Sequence, residues 1–227
     1  MRVIVSIGGS VLAPNLDADR VDAHANVIDG LVADGHEVAT VVGGGGVARR
    51  YIQTAREIGA TEYDLDSLGI DVTRLNARLL IAALDRSATP EPAESHEDAR
   101  ASLRRGEVAV MGGTTPGHTT DAVAALLAEM VEADLLVFGT SVPGVFSADP
   151  NADPDAERYD ELTASELVDV IASIETAAGS NAPVDLLAAK IIERSGLRAV
   201  VLDGSEPSRI AAAVADEADG TEVLPDE

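Results

Sequence analysis

Val3-Ile4-Val5-Ser6-Ile7-Gly8-Gly9-Ser10 opens the chain with an apolar, β-branched run that stops at a pair of glycines. A run of this kind, continuous rather than alternating, fits a strand buried on both faces, as in a parallel sheet covered by helices. The same phrase returns three times. Glu37 to Val42 is followed by Gly43-Gly44-Gly45-Gly46, Glu107 to Met111 by Gly112-Gly113, and Leu135 to Phe138 by Gly139. Arg198 to Leu202 supplies a fifth strand. Between these runs the apolar spacing predicts helices over Asp19 to Ala33, Val47 to Ile58, Ser67 to Leu84, Asp121 to Val131, Ala164 to Ile171 and Val184 to Ser195. Alternating strands and helices specify an α/β fold with a mainly parallel central sheet and helices on its faces.

The 227 residues suit one large domain spanning residues 1–227. Sixteen basic residues against forty acidic ones give a formal net charge of -24, which opposes binding a nucleic-acid polymer. The basic set is arginine except for Lys190. No Cys is present, so disulfides, thiolate metal sites and Cys nucleophiles are excluded. The longest apolar runs fall well short of the ~20 residues of a membrane span. A soluble, cytoplasmic protein without a membrane partner is expected. Acidic side chains spread along the chain also match proteins of concentrated salt, where the Debye length falls to ~3 Å at 1 M and self-repulsion is screened.

Two stretches look like surface excursions, Ser87 to Glu97 and Ser147 to Arg158, both broken by prolines, and the acidic last ten or so residues are expected to fray. The glycines fall where strands end, the edge at which open α/β sheets bind ligands and where backbone amides can approach phosphate oxygens. Several such turns on one edge point to a large polyphosphate ligand. A dinucleotide fingerprint is nearly met by Gly43-x-Gly45-x-x-Ala48, but the segment after Ile58 reads as turn and helix, where that motif needs a second strand. A Walker A loop fails because no Gly-Lys-Ser/Thr occurs.

Arg49 and Arg50 lie one turn into the helix after the four glycines, so one of the pair is a candidate for phosphate neutralisation and the other for a surface position. Thr114-Thr115-Pro116-Gly117-His118-Thr119-Thr120-Asp121 joins the third strand to a helix at the same edge, with more hydroxyls than a helix cap requires. After the fourth strand, Gly139-Thr140 leads to Phe146, one of five aromatic residues, which either stacks on a base or folds back on the core. Asp66 could serve as the N-cap of a helix from Ser67. His24, His36 and His96 lack metal-ligand spacing, nothing suggests a Ser/His/Asp triad, and no protein metal site is expected.

Taken together, Val-Ser-Ile-Gly-Gly-Ser, the four-glycine turn with its arginine, Thr-Thr-Pro-Gly-His-Thr-Thr-Asp-Ala and Thr-x-x-Pro-Gly-Val-Phe-x-x-Asp-Pro resemble the amino acid kinase superfamily. Within it they are most similar to the archaeal type of uridylate kinase, over Met1 to about Leu202. The resemblance implies a single three-layer αβα sandwich, usually in a homohexamer, binding ATP with Mg2+ beside UMP and making UDP. Carried over residue by residue, Gly9, Ser10, Gly45, Arg49, Thr140, Phe146 and Asp149 would serve ATP. Gly44, Asp66, Thr114, Thr115, Pro116, Gly117, His118, Thr119 and Thr120 would serve UMP. Many relatives place a lysine at the position of Ser6; Arg49, and after it Lys190, are the candidates for the missing cation. Two alternatives stay open: a kinase of the superfamily acting on a carboxylate, carbamate or isopentenyl phosphate, and a nucleotide-binding module without turnover.

Overall fold

The computed structural model describes residues 1–85, 88–148, 150, 153–175 and 182–226. In chain order the elements are β1 (Arg2–Ile7), α1 (Gly9–Leu12), α2 (Ala18–Ala33), β2 (Glu37–Val42), α3 (Gly45–Glu57), α4 (Glu62–Ala83), α5 (His96–Arg104), β3 (Ala109–Met111), α6 (Thr120–Met130), β4 (Leu135–Thr140), β5 (Glu161–Thr163), α7 (Ala164–Glu175), α8 (Leu186–Ser195), β6 (Ala199–Asp203), α9 (Ser208–Val214) and β7 (Gly220–Leu224). They build one seven-stranded sheet of order β3-β2-β1-β4-β6-β7-β5.

All five strands expected from the sequence are present and mutually parallel. β7 runs antiparallel to β6, and β5 pairs parallel with β7. The period of two sorts β1 cleanly: Ile4 faces one apolar layer while Val3, Val5 and Ile7 face the other. Residues of α5, α6, α7 and α8 fill the first layer, and residues of α1, α2, α4 and α9 the second, which makes the three-layer αβα sandwich. α3 lies outside, against α4.

Three expectations need correction. The acidic tail does not fray as a whole, because Gly220–Leu224 is strand β7, and buried Thr221 accepts from the Val145 amide (2.8 Å) and donates to the Tyr159 carbonyl (2.5 Å). The long helix starts at Glu62, not Ser67, because Thr61 and Asp64 form a reciprocal capping box; Asp66 is therefore inside α4 and is not its N-cap. The excursion Ser87 to Glu97 gives way to helix at His96, capped by Ser95; Ala93 pairs with Met111 of β3 and Ala88 with Val108 just before that strand.

Candidate active site

β1, β2 and β4 are in register side by side, so their turns emerge together at one edge of the sheet. The first two interlock. A Cβ on Gly9 would overlap the Gly43 carbonyl and the Gly45 amide, so no other residue fits. Gly45 also has φ of +60°, in the left-handed region that favours glycine. α3 begins inside this turn with Gly44 as its N-cap and no side-chain cap, leaving its first amides for a ligand. The Gly8 amide donates to the Gly139 carbonyl at 3.0 Å, tying the third turn to the first two.

Around this knot runs a cleft of about 260 Å3, lined by Ser6, Gly9, Ser10, Gly44, Gly45, Arg49, Asp121 and Thr140 among others. It adjoins a cavity of about 500 Å3 walled by Arg49, Thr140, Val142, Phe146 and Pro183. Arg49 lines both, and its Nη2 donates to Ser10 Oγ at 2.9 Å; no carboxylate pairs with it among the described residues. Arg50 lines neither, facing a further hollow with Asn15 and Leu16 that Ser10 and Arg49 also border. Phe146 stands at the cavity wall, and the hydroxyl of Thr140 holds its own turn, accepting from the Val142 amide and donating to the Val142 carbonyl.

On the other side of the knot, α4 organises the loops. Asp66 Oδ2 accepts from the Gly117 amide at 2.8 Å, and Gly117 has φ of +86°. Buried Thr73 accepts from the Gly113 amide at 2.7 Å, and buried Asn76 donates to the Gly43 carbonyl at 2.8 Å. The segment Thr114 to Thr120 thereby hangs between α4 and the start of α6, whose N-cap is Thr119. Thr115, His118 and Thr119 are exposed, while Thr114, Pro116 and Thr120 are half-buried. Asp149 lies outside the described residues. Lys190 is not brought to the cleft: it is exposed on α8, its Nζ 3.8 Å from Glu193.

Sequence reasoning missed the cleft floor. Ser6 donates to Asp121 Oδ1 at 3.0 Å, and Thr119 donates to Asp185, the N-cap of α8. Burial pushes the Asp121 carboxyl up to about 7, the neighbouring Asp185 carboxylate adds to the rise, and the Ser6 hydrogen bond opposes it. The position where relatives are expected to carry a lysine thus holds a hydroxyl bonded to a carboxyl that is half-protonated near neutral pH. The signal for Thr73 and Asn76 was available: both are polar residues in register with the apolar face Leu65, Val72, Ala77 and Leu80. His24 is structural, buried between the carbonyls of Arg20 and Gly204, and burial lowers its pKa.

Comparison with known proteins agrees with this architecture. Residues 1–203 match the model of the amino acid kinase family. The chain is 79% identical to the uridylate kinase of Natronomonas pharaonis, covering 100% of both chains, and 67% identical to that of Halobacterium salinarum, covering 100% of this chain and 94% of the other. The crystal structure of uridylate kinase from Archaeoglobus fulgidus superposes with a TM-score of 0.90 at 46% identity, over 99% of this chain and 100% of that one. With fold, glycine knot and full-length similarity in accord, the chain belongs to the amino acid kinase family, on the side of its archaeal uridylate kinases.

Proposed function

We propose that this chain transfers the γ-phosphoryl group of ATP to UMP, giving ADP and UDP. The observation that carries the proposal is the interlocked glycine turns flanked by two kinds of wall: an arginine- and Phe146-lined cavity on one side, a threonine-rich segment held by α4 on the other. Full-length similarity to proteins named uridylate kinase supports the choice of acceptor.

In this reading the triphosphate would bind as its magnesium complex along Gly9, Ser10 and Gly45, with Thr140 and Phe146 around the nucleoside. Gly44 and Thr114, Thr115, Pro116, Gly117, His118, Thr119 and Thr120 hold UMP. Asp66 spends Oδ2 on Gly117 and keeps Oδ1 for the ribose hydroxyls. Magnesium binds through one or two carboxylates plus substrate phosphates, so it would be held largely by the nucleotides themselves.

The acceptor oxygen of UMP is already ionised at neutral pH, so the reaction needs alignment and charge stabilisation more than a base. The amides opening α3 and the guanidinium of Arg49 face the region where charge develops. Asp121 faces it too, and its partial protonation limits the negative charge set against the phosphates. The assembly carrying this activity is proposed to be a homohexamer, as the resemblance to the family implies.

An ADP-release assay in molar KCl with UMP, CMP, acetate and carbamate as acceptors tests the reading. ADP release that depends on UMP and exceeds that with every other acceptor is expected. Nucleotide binding without UMP-dependent ADP release would overturn it.

A further inference from the structure

Among the described residues, eight arginines form ion pairs with carboxylates and six form none: Arg20, Arg49, Arg50, Arg74, Arg100 and Arg104. In a chain with forty acidic residues, a cluster of arginines left without one marks a place where an outside anion can bind. Three of the six surround the glycine turns: Arg49 and Arg50 on α3, and Arg74, whose Nε donates to the Gly113 carbonyl at 3.4 Å. Arg20 stands alone on α2. Arg100 and Arg104 form the remaining pair, at the opposite edge of the sheet. They line a cavity of about 300 Å3 where the ends of α5 and α6 meet the start of β1, with Arg2, Leu103, Met130 and Val131. The glycine turns lie at the other end of β1, about 20 Å away at the rise of a six-residue strand.

Each wall of the cavity has its own part. Arg2 is spent on the frame: its guanidinium pairs with Glu37 at 2.7 Å and donates to the Val131 carbonyl, while its amide donates to Asp134 at 2.6 Å. These bonds pin the turn after α6 to β1. Arg100 and Arg104 are four residues apart, so both side chains lie on one face of α5. Arg104 sits in the last turn, where a cation suits the helix dipole, but Arg100 is one turn earlier, where that effect has faded. Glu132 also borders the cavity and pairs with neither, so a net positive charge remains there in a chain of -24. Two guanidinium forks on one face match the oxygens of a phosphate group, which each can grip with parallel N–H donors. Beneath them Leu103 and Val131 are buried and Met130 half-buried, giving an apolar floor. A bare phosphate would satisfy the arginines and leave that floor in water. A phosphate carried on a flat apolar body covers both, and the volume lies at the lower end of the ~300–1,000 Å3 usual for small-molecule sites.

We propose that this cavity is a second anion site, taking an organic phosphate whose phosphoryl group is held by Arg100 and Arg104 and whose apolar body rests on Leu103, Met130 and Val131. It is separate from the cleft at the glycine turns, and it stands whether or not the kinase reading does. In dilute buffer the charge of the whole chain opposes the approach of any anion. Molar KCl screens that long-range repulsion, while partly buried contacts are screened much less.

The chain has three methionines, and one of them lines the cavity, so 13C-methyl methionine labelling of the full chain gives a local readout. Met111, buried in β3, reports that each variant is folded. The labelled protein is titrated in 2 M KCl with phenyl phosphate, inorganic phosphate and phenol. The Met130 signal is expected to shift and saturate with phenyl phosphate at a Kd of about 1 mM or below, at least tenfold tighter than with inorganic phosphate, and not to saturate with phenol. The double variant Arg100→Gln, Arg104→Gln should weaken phenyl phosphate binding at least tenfold, with the Met111 signal in place. A Met130 signal that phenyl phosphate leaves unmoved, or that saturates equally well in the double variant, would overturn the site. Inorganic phosphate binding as tightly as phenyl phosphate would overturn the organic ligand, and phenol binding as tightly would overturn the role of the arginines.

Discussion

Replacing Asp121 by Asn removes an ionisation that the fold resists. Asp121 starts from a carboxylate value of 3.8 and is pushed to about 7, by burial first and by Asp185 second. The folded pKa is thus above the unfolded one, so between about pH 4 and 7 the folded chain keeps a proton that the unfolded chain has released. Stability falls as pH rises through that window, and above pH 7 the whole cost is present. At 1.36 kcal/mol per unit the full shift corresponds to ~4 kcal/mol, and the contact of Asp121 with cleft solvent reduces this to roughly 2 kcal/mol. Asn cannot ionise and still accepts from Ser6, so the variant lacks this slope. Part of the cost is already present at pH 5, and roughly 1.2 kcal/mol of it develops between pH 5 and pH 8.5. For a chain of this size 1 kcal/mol moves Tm by about 2–4 °C, so the difference in Tm between variant and wild type should grow in the variant's favour by roughly 2.5–5 °C over that interval. Thermal melts in molar KCl at both pH values measure it. Parallel pH profiles for the two proteins would refute the claim that Asp121 is held near neutrality.

Arg49→Ala should lower kcat/KM by more than tenfold, since a charge-assisted hydrogen bond to phosphate is worth about 1.5–3 kcal/mol, and Arg49→Lys should recover part of it; unchanged steady-state kinetics would remove Arg49 from the mechanism. Asp66→Ala should raise KM for UMP at least tenfold with KM for ATP within threefold, measured by an ADP-release assay, because the Asp66 carboxylate holds the Gly117 amide in the segment proposed to bind UMP. Tm should rise between dilute buffer and 2 M KCl as screening relieves the self-repulsion of a -24 chain, and a flat or falling Tm would contradict salt adaptation.

The parallel part of the sheet was legible because its strands are buried on both faces and four of the five run into glycine, as at Ile7-Gly8 and Val42-Gly43. β5 and β7 escaped because they are short and partly exposed, and Glu161–Thr163 and Gly220–Leu224 carry polar residues that pair only through tertiary context. In the site, the glycine turns and Arg49 were legible from glycines falling where strands end and from a cation one turn into the next helix, and the structure brings Gly9, Gly45 and Arg49 to one cleft. Asp121 and Ser6 were not legible, since their meaning arises from a contact across 115 positions of sequence. Lys190 drew attention by rarity alone, and its place on α8 shows that scarcity of a residue type says nothing about where it points.

The central claim is that the knot of glycine turns lines up donor and acceptor phosphates on one edge of the sheet. A crystal structure with UMP and a non-hydrolysable ATP analogue bound together tests it most directly. The account predicts the terminal phosphate of the analogue at the Gly9 and Gly45 amides, facing the UMP phosphate, with Arg49 in contact and Asp66 on the ribose of UMP. Either nucleotide bound away from that edge, or the two phosphates separated by the Gly9–Gly45 contact, would contradict it.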